Sequence, residues 1–441
     1  MTRIAGVLIL VLMVLAGCTG AADRLLEPFT GKKDEILPGT RESVLLSNSP
    51  LDKAATTPKE GATDPIAIPA AVSNANWAQP GGVASNAMHN LDLGMQLKKV
   101  FAVSAGAGSS GRDRLLSGPI VVGGRVYVLD AEANVRAFNA ANGARIWGRP
   151  LAPKGKDPEG AFGGGLASDG NNIYAATAFG EVVALNAATG AEVWRQKLGA
   201  PVRAAPTVAD GKIFVVTVAN EVAALNTGDG QAAWKHQGTG EQASLMAVSS
   251  PAVADGFVVI PSTSGELIAL SAGQGISAWD ESLAAADPTT SLANLNDIAG
   301  RPVIDSGLVF GIAHAGRLGA FKLSDGSEVW SQEIAGSQTP WLAGDYVFVL
   351  SNRATLAAVA KRNGAVRWSV NLSGGGTWAG PVVGGGRLLV VGSAGLLVSV
   401  SPQTGQSMST INLGEKFFIP PVIANGTIYL LSDGGTLVAL R

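Results

Sequence analysis

The sequence predicts an all-β fold: an eight-bladed β-propeller of four-stranded antiparallel blades, closed by an N-terminal strand. Three observations lead to this prediction: a repeated turn signature, a repeat spacing of 38 to 51 residues, and a chain that ends one strand short of a complete last unit. Repeats of about this length build propellers or solenoids, because each unit can bury its apolar face only against a neighbour.

The turn signature is a Gly-centred turn followed, four residues after the Gly, by Trp in six of seven copies. The copies are ANGARIW (141–147), ATGAEVW (188–194), GDGQAAW (228–234), GQGISAW (273–279), SDGSEVW (324–330), RNGAVRW (362–368) and QTGQSMS (403–409). The recurring residues are Trp147, Trp194, Trp234, Trp279, Trp330 and Trp368. Because the indoles occupy one position in every unit, we expect them to pack in the seams between blades rather than to form a ligand cage.

Each unit contains short β-rich runs and no helical periodicity. A Pro-led apolar run such as Pro206–Val208 is followed by a Gly-centred turn, Asp210-Gly211, and by a second β-rich run, KIFVVTV (212–218). An alternating run such as EVVALN (181–186) comes next, before the signature turn. Short runs separated by hairpin turns predict four strands in each unit, which is one propeller blade.

The number of units predicts eight blades and an unusual closure. The units start near residues 118, 162, 205, 250, 301, 339, 380 and 420. The eighth ends at Arg441 before a fourth strand, which would leave a blade edge unpaired. We expect a strand from LKKVFAVSAGAG (97–108) to complete this blade, with Phe101 in the position of the missing Trp.

Composition limits the chemistry that the chain can perform. Fifty-eight Gly and only 15% charged residues are typical of a turn-dense β protein, and a formal charge of −2 gives no basic surface for nucleic acid. With Cys18 as the sole cysteine, neither an internal disulfide nor a Cys-based metal site can form. The histidines, His89, His236 and His314, lack partners at metal-ligand spacing. The sequence therefore predicts no catalytic residues, no metal site and no cofactor.

The N-terminus carries an export signal. Arg3 precedes the apolar run Ile4–Leu15, which is too short to span a membrane and right for a secretory signal. The following Leu-Ala-Gly and Cys18 resemble a bacterial lipobox, so we expect cleavage before Cys18 and its lipidation. The residue directly after the cysteine is Thr19. An Asp at this position would resemble an inner-membrane retention signal, so Thr19 favours the outer membrane.

These features predict three segments. Residues 1–17 form the lipoprotein signal peptide, and residues 96–441 form the propeller. Residues 18–95 lack the repeat and are rich in Ala, Pro, Thr and Ser, a composition that buries too little apolar area to offset the entropy of ordering. We therefore expect them to form a lipidated, largely flexible tether.

The repeat in VVALNAATGAEVW (182–194) resembles the tryptophan-docking repeat of pyrroloquinoline quinone (PQQ)-type propellers. Together with the lipobox and the eight units, it resembles the BamB family, lipoproteins of the outer-membrane β-barrel assembly (Bam) complex. The resemblance implies a non-enzymatic scaffold, anchored by lipid to the periplasmic face of the outer membrane. Its partners would be a POTRA domain of BamA, other Bam components and unfolded outer-membrane protein clients.

The resemblance also implies where BamA binds. EQASLMAVSSP (241–251) and ANLNDIAGRP (293–302) resemble the two contact segments of the family. Met246 stands where the family has Arg, and Ala299 replaces a second Asp. The candidate partner-binding residues are Leu245, Met246, Leu292, Leu295, Asp297 and Arg301.

Blade geometry independently favours the same surface. In a four-stranded up-and-down blade, the connections to the next blade all emerge on one face. The long connections here, residues 148–162, 236–250 and 280–300, are of this type. Insertions that gather on one face of a repeat protein usually mark its binding face.

Two other functions remain open at this stage. A PQQ-dependent dehydrogenase should show a vicinal cysteine pair and a calcium-holding carboxylate cluster, neither of which we can locate in the sequence. A periplasmic lipoprotein that binds a sugar or peptide would need aromatic and polar side chains that converge inside the central channel.

Overall fold

The computed structural model describes residues 51, 66–111, 113–156, 163–238, 249–284 and 297–441. These ranges contain 32 β-strands in eight antiparallel sheets of four strands each. The predicted eight-bladed propeller is therefore confirmed. In this part of the chain, no helix has the length and apolar character needed to cross a bilayer.

The blades follow one another in chain order, each running from an inner first strand to an outer fourth strand. Blade 1 contains β2 (Ile120–Val122), β3 (Arg125–Leu129), β4 (Asn134–Asn139) and β5 (Arg145–Pro150); blade 2 contains β6 (Gly164–Ser168), β7 (Asn172–Thr177), β8 (Glu181–Asn186) and β9 (Glu192–Lys197). Blade 3 contains β10 (Thr207–Ala209), β11 (Lys212–Val216), β12 (Glu221–Asn226) and β13 (Ala232–Gln237); blade 4 contains β14 (Ala252–Ala254), β15 (Phe257–Pro261), β16 (Glu266–Ser271) and β17 (Ser277–Ser282). Blade 5 contains β18 (Val303–Asp305), β19 (Leu308–Ile312), β20 (Leu318–Lys322) and β21 (Glu328–Gln332); blade 6 contains β22 (Trp341–Ala343), β23 (Tyr346–Leu350), β24 (Thr355–Ala360) and β25 (Val366–Asn371). Blade 7 contains β26 (Trp378–Gly384), β27 (Arg387–Gly392), β28 (Leu396–Val400) and β29 (Ser407–Asn412); blade 8 contains β30 (Val422–Ala424), β31 (Thr427–Leu431), β32 (Thr436–Leu440) and β1 (Lys99–Ser104).

The ring closes where the sequence predicts. Strand β1 pairs antiparallel with β32, so the outer strand of blade 8 comes from the N-terminal side of the propeller. Phe101 takes the place of the missing Trp: its ring lies 6.5 Å from that of Tyr429, and it covers Gly143 of blade 1. The C-terminal edge is therefore paired.

The six signature indoles lie in the seams between blades. Each indole nitrogen donates a hydrogen bond of 2.8 to 3.1 Å to a carbonyl oxygen of the next blade. The rings cover the signature Gly of that blade, and a Cβ on Gly190 would lie 2.6 Å from the Trp147 ring. Gly190 also has a φ of +71°, so both the backbone and the close approach require glycine. The seventh copy carries Ser409 and faces blade 8, whose strands β32 and β1 are not joined by this turn.

Residues 66–95 differ from the predicted tether: they pack against the propeller. Ile66, Trp77, Leu91 and Leu93 are each no more than 5% exposed. The segment 74–93, which we call the belt, follows the inner edges of the first strands around the whole ring. Its residues bond to blade 8 (Asn74 with Asn425), blade 1 (Trp77 with Val121), blade 2 (Ala78 with Ser168), blade 3 (Gln79 with Val208), blade 4 (Ala84 with Val253), blade 5 (Ser85 with Ile304), blade 6 (His89 with Trp341) and blade 7 (Leu91 with Val383).

The belt exists because a first strand presents unpaired backbone groups to the channel. Such an edge needs hydrogen-bond partners where water is excluded. Trp77 both donates to and accepts from Val121, at 2.7 and 2.9 Å, and Leu91 bonds in the same way to Val383 and Gly385. The predicted tether is thus wrong for residues 66–95.

The predicted signal peptide and the lipidation site Cys18 lie outside the described residues. Of the remaining tether up to residue 65, the structure describes only Leu51. Leu51 is buried, and its carbonyl oxygen accepts a 2.7 Å hydrogen bond from the Ser369 hydroxyl.

A charged cluster fixes the belt to two blades. The carboxylate of Asp305, at the end of the first strand of blade 5, lies 3.4 Å from the imidazole of His89 in the belt. The ammonium of Lys361 in blade 6 donates to the same carboxylate. The hydrogen bond from His89, reinforced by Lys361, holds the pKa of Asp305 well below its ordinary value although burial opposes the shift.

Acid should therefore weaken the fold partly through Asp305. The pKa of Asp305 is about 3.9 in the unfolded chain and lower in the folded protein. Ionised Asp305 therefore stabilises the fold above the unfolded pKa, and this stabilisation is lost as the pH falls through the folded pKa. We expect Asp305→Asn to lower stability at pH 7 and to flatten the loss between pH 4 and pH 2, measured by urea unfolding. Asp210→Asn, an exposed turn carboxylate, is the matched control. Parallel pH profiles for wild type and Asp305→Asn would contradict this expectation.

Candidate functional site

The two faces of the ring differ in what covers the central channel. We call the face with the blade-to-blade connections the connection face, and the opposite one the turn face. The belt lies at the turn face, because Asn76 and Asn90 accept hydrogen bonds from Gly123 and Gly386 in the turns that follow the first strands. The channel is therefore occupied by the chain itself at the turn face.

Between the belt and the connection face lie two adjoining cavities, of about 70 and 170 Å³. They share Pro80 of the belt together with Leu116, Gly118 and Arg301. In the smaller cavity, the indoles of Trp77 and Trp341 stack with ring centroids 6.1 Å apart and planes 18° apart. Aromatic and polar side chains thus converge inside the channel.

The polar side of this site is basic. Arg301 lines both cavities, and Arg203, Ser249 and Ser250 line the larger one. Burial lowers the pKa of Arg301 to about 10, so the guanidinium is still charged at neutral pH. Its backbone nitrogen donates to the Thr339 hydroxyl, whereas its Nε is buried and has no hydrogen-bond partner among the described residues.

Of the six predicted partner-binding residues, the structure describes Asp297 and Arg301. Leu245, Met246, Leu292 and Leu295 lie outside the described residues. Asp297, a candidate for partner binding, is instead buried: the residue is 1% exposed, and its carbonyl oxygen accepts a hydrogen bond from the His314 backbone at 2.9 Å.

Arg301 also differs from a residue of an exposed partner-binding surface. It lines the wall of the channel. Trp77 and Trp341 are site residues that the repeat pattern does not predict. Trp77 could have been found, because it lies in a stretch from residue 66 to 96 in which Asp92 is the sole Asp, Glu, Lys or Arg.

The histidines have structural surroundings. The Nδ1 of His314 lies 2.7 Å from the Ser337 hydroxyl, and burial lowers the pKa of His314. Among the described residues, no group of three or more His, Cys, Asp or Glu side chains could hold a metal ion.

Comparison with known sequences identifies the family. The family model described as outer membrane protein assembly factor BamB matches residues 131–370 and 352–441. The protein of that name from Salmonella typhimurium is 26% identical over 326 residues, which cover 73% of this chain and 83% of that protein. The one from Yersinia pestis is 26% identical over 346 residues, 77% of this chain and 88% of that protein. The one from Alkalilimnicola ehrlichii is 30% identical over 153 residues, and this match spans 34% of the chain and only 40% of that relative.

Solved structures share the fold. BamB from Moraxella catarrhalis superimposes with a TM-score of 0.68 at 19% identity, covering 78% of this chain and 100% of that chain. The quinohemoprotein alcohol dehydrogenase from Comamonas testosteroni gives a TM-score of 0.66 at 14% identity, covering 84% and 81%. At these identities, each similarity establishes the propeller alone. Because the family model matches well over half of the sequence, the chain belongs to the outer membrane protein assembly factor BamB family.

Proposed function

We propose that the protein is a non-enzymatic scaffold lipoprotein of the Bam complex, which binds a POTRA domain of BamA through its connection face and aids insertion of outer-membrane proteins. It would be anchored at the periplasmic face of the outer membrane through a lipid on Cys18. Membership of the family and the names of its relatives support the assembly role.

The distribution of the blade connections carries the proposal for the binding face. Two of the long connections, 236–250 and 280–300, flank blade 4 in the sequence. Ser249 in the first and Arg301 directly after the second line the larger cavity. The opposite face and the inner strand edges are already bonded to the belt, so a partner that adds to a first strand would have to displace it. We therefore assign the docking surface to the connection face.

The apolar residues Leu245 and Met246 are the proposed contacts. A carboxylate forced into a desolvated apolar contact costs several kcal/mol, or roughly a hundredfold or more in affinity. We expect Leu245→Asp or Met246→Asp to abolish co-purification of BamA from detergent-solubilised outer membranes. Direct binding to an isolated POTRA domain should fall by the same factor.

The matched control is Ile276→Asp. Ile276 is 62% exposed beside the Gly275 turn, on the turn face of the same blade. This variant should retain BamA, and all three variants should unfold at the wild-type temperature. Equal retention of BamA by wild type and Leu245→Asp would move the interface away from the connection loops.

A further inference from the structure

We propose that the larger channel cavity binds a small oxyanion, a carboxylate or phosphate group, between Arg301 and Ser249. This inference goes beyond the scaffold role, because it concerns a ligand inside the ring and not the partner surface on its rim. It rests on three features of the cavity: its charge, its unsatisfied polar atoms and its size.

Arginine supplies the charge on the described walls of the cavity. Among the described residues that line the two cavities, the ionisable side chains are those of Arg203 and Arg301, and no carboxylate is present. Arg301 forms no ion pair and no side-chain hydrogen bond within the described part of the chain. The Arg301 side chain is half-buried with its Nε fully buried, and a guanidinium withdrawn from water is costly unless an anion pairs with it. The ligand that relieves this cost carries negative charge.

Ser249 supplies a second unsatisfied group in the same cavity. Its residue is 5% exposed, and its hydroxyl is buried with no hydrogen-bond partner among the described residues. Buried hydroxyls are normally hydrogen-bonded, and each exception needs an explanation. An oxyanion can accept from a guanidinium and from a hydroxyl at once, and such charge-assisted bonds are the strong ones.

The size of the cavity limits the ligand. A volume of about 170 Å³ holds about six waters at roughly 30 Å³ each, below the roughly 300 to 1,000 Å³ of sites for drug-sized ligands. Pro80 and Leu116 add an apolar wall that cannot solvate more than one charged group. The inserted group is therefore a free phosphate ion or the terminal carboxylate of a larger ligand such as a peptide.

Calorimetric titration of the full mature protein in detergent and Tris buffer tests the proposal. The probes are inorganic phosphate, acetate, trialanine with a free carboxylate and trialanine amide. We expect saturable binding of phosphate or of the free carboxylate with a Kd below 10 mM, and no binding of the amide. Tighter binding of phosphate would indicate a free ion as the source, whereas tighter binding of trialanine would indicate a peptide terminus.

Three variants show whether the cavity is responsible. Arg301→Gln should raise the Kd at least tenfold, and Ser249→Ala should raise it by a smaller factor. Arg362→Gln, which removes an exposed arginine on the turn face, should leave the Kd unchanged. Circular dichroism melts must show that all three variants are folded. Absence of binding by wild type up to 10 mM, or equal affinities for wild type and folded Arg301→Gln, would overturn the proposal without affecting the BamA-binding role.

Discussion

Deletion of residues 66–93 is expected to abolish stable folding of the propeller. The deletion exposes the inner edges of all eight first strands and removes four large side chains, among them Trp77 and Leu91, that are almost fully buried. Fully burying one such side chain contributes about 1.5 to 3 kcal/mol, and most domains are stable by only about 5 to 15 kcal/mol in total. We expect insoluble protein on expression, or a broad unfolding transition at much lower urea concentration.

The control is a deletion of the same length, residues 19–46, which lies in the predicted tether and should leave the urea midpoint nearly unchanged. Trp77→Ala provides a milder test if the belt deletion cannot be purified. Removal of a buried Trp costs about 3 to 5 kcal/mol, and we expect Trp77→Ala to remain folded but destabilised by this amount. A belt deletion that unfolds like wild type would show that the belt does not stabilise the propeller.

Trp330→Ala is expected to destabilise the seam between blades 5 and 6 by about 3 to 5 kcal/mol. The indole is 7% exposed, lies 6.1 Å from the Phe310 ring and covers Gly364 of the next blade. It also donates a 2.8 Å hydrogen bond to the Lys361 carbonyl, so the truncation leaves both a void and an unpaired acceptor. Urea unfolding monitored by far-ultraviolet circular dichroism measures the loss.

Trp330→Phe separates ring packing from the hydrogen bond. Phe101 already occupies the equivalent position in blade 8 and covers Gly143, which shows that a phenyl ring fits such a seam. We expect Trp330→Phe to cost only about 1 to 2 kcal/mol, since most of the packing is retained and one hydrogen bond is lost. Equal destabilisation by Phe and Ala would mean that the hydrogen bond, and not the packing, dominates the seam.

The repeated blades could be predicted because their determinants are local and periodic. In the repeated units, a Gly at positive φ and an indole four residues later mark the seam between two blades. The last unit contains only three strands, so its fourth strand had to come from elsewhere, and the strand containing Phe101 was the candidate. The belt was not predicted because it is held mainly by backbone hydrogen bonds. Such bonds can be formed by almost any residue, so they impose no recognisable pattern of side chains on the sequence. The low charge of the belt and its lone Trp77 were the available signals, and they were outweighed by the Ala-, Pro-, Thr- and Ser-rich composition of residues 18–95 as a whole.

The candidate site was less predictable than the fold. Loop position indicated that Asp297 and Arg301 lie near the connection face, but the direction of each side chain depends on contacts with distant parts of the chain. Arg301 is held through its backbone by Thr339 of the next blade, and Pro80 of the belt lines the same cavity. Neither contact has a sequence spacing that a pattern could reveal.

The belt also changes how the ring should come apart. In a repeat protein whose units touch only their neighbours, stability is nearly a sum of local terms, and one unit can open while the others stay folded. Here a single strip of chain bonds to every blade, from Asn425 in the last blade through Val121 in the first and on to Val383. Opening any blade loosens the strip that supports the other seven, so the free energy of each blade depends on all of them. The propeller should therefore unfold as one cooperative unit, with slowly exchanging amide protons distributed over all eight first strands.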